Sequence, residues 1–165
     1  MTADWFSVAE GICMRCGGRC CTDDTQPPLT DSCYRRLVSA GVSPDSFETD
    51  GYRRLKLNGR ACILFRDGKC SCHAIKPETC RAGPFTFDVR GDSIGIYLKT
   101  ERICPLVRIL KEDPDAYRQR YAHAATNIRY LVQALSEDEL AAICRVDEPD
   151  TELVATIPRG ARPVP

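Results

Sequence analysis

A chain of 165 residues is long enough for one domain with a real hydrophobic core. Its 23 lysines and arginines balance 23 aspartates and glutamates, so no overall field favours nucleic acid, an anionic membrane or an acidic substrate. Residues 1–11 lack the basic start and apolar segment of a secretory signal, and no apolar run reaches bilayer length, so a soluble, cytoplasmic protein without a membrane partner is expected.

The first element is a motif. GICMRCGGRCC at 11–21 holds Cys13, Cys16, Cys20 and Cys21, four of the chain's 11 cysteines. An odd count and a reducing compartment argue against a disulfide framework, and reduced thiols in clusters point to metal. Two residues between Cys13 and Cys16 let one turn aim both sulfurs at a single ion, and Gly17 and Gly18 permit the tight turn that follows. Neighbouring side chains in extended backbone point to opposite sides, so Cys20 and Cys21 suit two metal centres better than one.

TDDTQPP is then a proline-broken loop in which the Asp23-Asp24 pair reads as polar surface. Thr30 or Asp31 caps a helix with Tyr34, Leu37 and Val38 at helical spacing and Gly41 as its stop; Ser43-Pro44 opens a short turn through Phe47. Asn58-Gly59 predicts a hairpin over 52–65, Asp67-Gly68 makes another turn, and FTFDVR, Gly91-Asp92 and SIGIYLK read as a second hairpin with Phe85, Phe87 and Val89 on one face.

From Asp113-Pro114 a long helix carries Tyr117, Tyr121, Ala124, Ile128, Leu131 and Leu135 inward; its tyrosines read as core. His123, near Arg120 and Asn127, reads as a solvated face residue, and Arg118, Arg120 and Arg129 give the helix positive charge without the aromatic interleaving of a nucleic-acid surface. Ser136 and Glu139 form a capping box that opens a further helix through Cys144. The expected organisation is a single α+β metal-binding domain over 1–146, small, irregular and cysteine-rich, with short β-hairpins and a C-terminal helical segment. Residues 147–165 are expected as an extended or disordered tail with one short strand at 152–157.

A second cysteine set, Cys62, Cys70, Cys80 and Cys104, lies downstream. CxxCxxxCC at 13–21, Cys62-I-L-F-R-D-G-K-Cys70 and Pro77-x-x-Cys80-Arg81 with Pro84 close behind together resemble the cysteine-cluster proteins of the YkgJ type, a zinc- or iron-chelating family, over roughly residues 10–105. The resemblance implies metal binding by Cys13, Cys16, Cys20, Cys21, Cys62, Cys70, Cys80 and Cys104, a number that suits two four-cysteine centres; one centre with the other thiols buried remains open. Lys76 departs from the arginine usual there, and Cys72 and His73 from an aliphatic residue and a tyrosine. Cys72 is an extra ligand or a buried thiol, His73 a ligand or a hydrogen-bonding residue, and Cys33 and Cys144 read as core.

All-sulfur coordination suits zinc and iron–sulfur clusters alike. One CxxC, a doublet and scattered single cysteines look more like cluster ligation than paired zinc knuckles. Cys104-Pro105 and the cation of Cys80-Arg81 add to this, so [4Fe-4S] cofactors are expected, with zinc as the alternative. The functional expectation is redox or iron-handling work with a redox or metal-delivery protein partner. The alternatives are a structural zinc-binding interaction module and an accessory or modifying protein related to the flagellin lysine N-methylase, which shares the CxxCxxxCC signature. No P-loop, Gly-rich strand-to-helix cofactor loop or nucleophile elbow is present.

Overall fold

The computed structural model describes residues 4–23, 26–148 and 150–160. It opens with a helix that the sequence pattern does not announce, α1 (Trp5–Arg15). Gly11 lowers its intrinsic propensity. The helix forms because Ala9 is buried and Trp5 and Ile12 pack against the main core, so tertiary contact decides the element.

α2 (Asp31–Ser39) begins as expected: the Thr30 hydroxyl accepts the Cys33 N–H, and Cys33 and Leu37 are the buried positions. Ser43 caps a 3-10 turn at Pro44–Ser46. The hairpins differ from expectation. β1 (Phe47–Asp50) pairs with β2 (Tyr52–Leu55), whereas Asn58-Gly59 joins only β3 (Leu57–Asn58) to β4 (Ala61–Cys62). Tyr52–Leu55 pairs upstream because Phe47 and Leu55 face each other in register and are both buried, while Arg54 reaches Glu48 at 2.8 Å and Asp50 at 3.2 Å. Asp67-Gly68 turns β5 (Phe65–Arg66) into β6 (Lys69–Cys70).

After α3 (Glu78–Ala82), β7 (Phe85–Arg90) and β8 (Ser93–Lys99) form the second expected hairpin. α4 (Leu106–Glu112) leads into α5 (Pro114–Ala134), whose cap Asp113 accepts the N–H groups of Asp115 and Ala116. α6 (Glu137–Ile143) carries the Ser136–Glu139 capping box. The strand expected at 152–157 is β9 (Thr151–Pro158), and it is integral to the fold. It pairs antiparallel with β8, giving the sheet order β7-β8-β9, so this stretch is a sheet strand and not a free arm. Residues 161–165 lie outside the described residues.

Two cores result. In the larger, Ala116, Ala124, Ile128, Leu131 and Val132 of α5 meet Phe85, Ile94, Ile96 and Leu98 of the sheet, with α4 and α6 alongside. Tyr117 and Tyr121 stack on each other with ring centroids 6.4 Å apart and both present edges to Phe85, so they are core packing. The smaller core gathers Leu29, Cys33, Leu37, Phe47, Leu55 and Leu64. Cys62, Cys70 and Cys72 border the smaller core and Cys104 the larger, so the cysteine loops touch both. Among the described residues, no helix is long and apolar enough to cross a membrane.

Candidate metal centre

Cys13 lies in the last turn of α1 and Cys16 just beyond it. Gly17 and Gly18 then both adopt positive φ, 77° and 73°, and turn the chain into a 3-10 turn at Arg19–Cys21. At Gly18 only glycine fits: the left-handed φ strains any other residue, and a Cβ would stand 2.1 Å from the Phe65 ring. In that conformation the Gly18 N–H donates to Cys16 Sγ at 3.3 Å.

The same local geometry recurs at three further cysteines. Cys62 accepts the N–H of Leu64, Cys70 that of Cys72, and Cys104 that of Leu106, each from two residues farther along the chain. An N–H aimed at sulfur favours the thiolate, the form that ligates metal, and such hydrogen bonds tune a bound centre. Burial acts the other way: it is the leading influence on Cys13, Cys62, Cys70, Cys80 and Cys104 and pushes every one of these thiols up, Cys104 to about 11.

The thiols are electrostatic neighbours in two overlapping groups. Cys13 feels Cys16 and Cys20, and Cys104 feels Cys13, Cys16 and Cys20. Cys80 feels Cys20, Cys62 and Cys70, and Cys21 feels Cys20, Cys70 and Cys80. The doublet is asymmetric. A hydrogen bond from Cys21 brings Cys20 down to about 6, against burial, while the same bond, followed by burial, pushes Cys21 upward. The thiols are neighbours and not a closed shell: among the described residues, no three His, Cys, Asp or Glu side chains are arranged to hold one ion.

The cation beside the thiols is Lys76. It is 4% exposed, and its Nζ lies 3.8 Å from Cys13 Sγ, 3.1 and 3.3 Å from the Glu10 carboxylate oxygens and 3.3 Å from His73 Nε2. Its charge acts on Cys13, Cys20, Cys70 and Cys80, and Lys99 acts on Cys20 as well. Arg81, the cation suggested by sequence adjacency, acts on Cys33 and His123. Behind Lys76, Arg120 of α5 is also 4% exposed. It donates twice to the Gly83 carbonyl, at 2.8 and 2.6 Å, and reaches Glu10 at 3.5 Å. Burial pushes the Glu10 carboxyl up, but Lys76, His73 and Arg120 together hold it below its ordinary value.

Several sequence expectations change here. Arg120 is buried structure and not surface charge, and His123 is half-buried, lining a cavity of about 230 Å³ with Trp5, Gln119 and Arg120. The helix turns this face toward α1, an element not anticipated, which covers it. His73 hydrogen-bonds the Glu10–Lys76 pair. Cys72 lies beside Cys62 and Cys70 as a ninth thiol. Cys33 is fully buried in the smaller core, and Cys144 accepts the Val89 N–H at 3.4 Å, away from the others. Asp23 pairs with Arg60 at 2.9 Å, and Asp24 lies outside the described residues. Sequence reasoning missed Glu10; with α1 recognised, its place three residues before Cys13 puts both on one helix face.

A family model described as "Putative zinc- or iron-chelating domain" matches residues 12–105, a span that contains all eight motif cysteines and Lys76. Neither a curated protein nor a solved structure matches the chain. With more than half of its length matched, the chain belongs to this CxxCxxCC family of zinc- or iron-chelating domains.

Proposed function

We propose that Cys13, Cys16, Cys20 and Cys104 hold one metal centre and Cys21, Cys62, Cys70 and Cys80 a second, both of them iron–sulfur clusters, most simply [4Fe-4S], in a protein of redox or iron-handling function. The observation that carries this reading is the pair of overlapping thiol neighbourhoods: Cys13, Cys20 and Cys104 neighbour one another, Cys21 lies with Cys70 and Cys80, and Cys20 reaches both groups. The donor set fits in its chemistry: eight thiols are electrostatic neighbours, four receive an N–H from two residues on, and a buried cation stands beside Cys13. Closure of each shell needs the thiols to lose their protons and the side chains to rotate inward around the ion, as expected where binding and final folding are coupled. A bound cluster supplies single-electron exchange. The chain's own residues fix the ligands, donate hydrogen bonds to sulfur and exclude water through the two cores. A cytoplasmic setting and a redox or metal-delivery protein partner belong to the same reading.

One observation favours a second reading. The strands that deliver Cys62 and Cys70 pair over only two residues each, so this region has little regular structure of its own and suits a structural zinc that staples it. Anaerobic purification separates the two. Iron and acid-labile sulfide in stoichiometric amounts, with a brown colour, support clusters; colourless protein carrying zinc moves the function to a structural module. Cys20→Ser and Cys21→Ser are expected to perturb different centres, and Cys33→Ala neither. Loss of the same single signal in both doublet variants would defeat the division into two centres.

A further inference from the structure

Resting on the thiolate-centre reading above, we propose that Lys76 is the resident counter-charge of that centre, a positioning residue whose ammonium faces the thiol group of Cys13. Four thiolates around a divalent ion leave a net negative charge, and two such centres in one small domain must be offset or kept apart. The three hydrogens of the Lys76 ammonium meet three acceptors: the Glu10 carboxylate, the His73 ring nitrogen and, at 3.8 Å, Cys13 Sγ. The lysine is buried, so solvent screens it little, and its ammonium stands in direct reach of Cys13 Sγ. Glu10 does not cancel it. That carboxylate is shared with Arg120 at 3.5 Å, so one negative charge stands against two positive ones and the assembly faces the thiols with a net positive charge. Glu10 is therefore the brace: it anchors the lysine to α1 through the helix that carries Cys13, and α5 holds the brace from behind.

The test uses the full chain with Zn(II) as the probe, competed against a chromophoric chelator, for the parent, Lys76→Met, Lys76→Arg and Glu10→Gln. The urea midpoint of each metal-free protein is measured separately. Lys76→Met is expected to weaken zinc binding about 10- to 100-fold, the usual scale for groups just outside the ligand shell. Lys76→Arg keeps the charge and is expected to recover most of that affinity. Glu10→Gln keeps an amide oxygen to accept from the ammonium, so the brace stands while the opposing charge is removed, and this variant is expected to bind zinc as tightly as the parent or more tightly. Parent-like zinc affinity in Lys76→Met, or a folded Lys76→Arg that binds as weakly as Lys76→Met, overturns the counter-charge role. If Lys76→Met does not fold without metal, weakened binding by a folded Glu10→Gln overturns it instead. Failure of the parent itself to bind zinc or iron defeats the thiolate-centre reading, which is a separate result.

Discussion

Arg120→Met removes a guanidinium that the sequence places on a helix surface and the structure places inside. The side chain is 4% exposed and makes two charge-assisted hydrogen bonds to the Gly83 carbonyl, at 2.8 and 2.6 Å, as well as an ion pair with Glu10 at 3.5 Å. Methionine fills much of the volume but donates nothing, which leaves the carbonyl without its partner and Glu10 short of one cation. Breaking a buried charge pair of this kind costs about 3–5 kcal/mol. Since a kcal/mol moves the melting temperature of a domain this size by about 2–4 °C, a fall of roughly 6–20 °C is expected. Urea unfolding of chelator-treated protein, followed by far-ultraviolet circular dichroism, should show a lower midpoint at an unchanged slope. Arg120→Lys should regain only part of the loss, because one ammonium cannot reproduce the two-pronged contact. A cost under about 1 kcal/mol for Arg120→Met would refute the idea that this contact ties α5 to the α3–β7 junction and to α1.

Two further outcomes are expected. Truncation after Val146 removes β9, its pairing along β8 and the Arg159–Glu137 ion pair at 2.6 Å; the truncated chain should melt lower and associate through the opened β8 edge, measured by light scattering and thermal unfolding. A truncated chain with parent stability that stays monomeric would restore the view of this segment as a tail. Glu10 has its folded value below its ordinary 4.5, so the stability it contributes is present above pH about 4.5 and lost as pH falls through the depressed value. Glu10→Gln should therefore flatten the acid limb of the stability profile, read from urea midpoints between neutral pH and the acid transition; an unchanged limb would show that the carboxylate is not held by its cations.

What the chain dictates by local rules was legible in residue order. Thr30, Asp113 and the Ser136–Glu139 box cap helices where their side chains predict, because a cap needs only its own first turn. Asp67-Gly68 and Gly91-Asp92 turn hairpins for the same reason. The cysteine spacing pointed to metal, and the match over residues 12–105 agrees with that reading. Three things only the tertiary structure decided. α1 exists because Ala9, Trp5 and Ile12 find a core that distant helices build. Tyr52–Leu55 chose the upstream partner because burial of Phe47 against Leu55 outweighs a two-residue turn signal. The cation beside the thiols is Lys76 and not the adjacent Arg81, since charge acts through space and the fold brings a lysine of one loop to a glutamate and a cysteine more than sixty residues earlier.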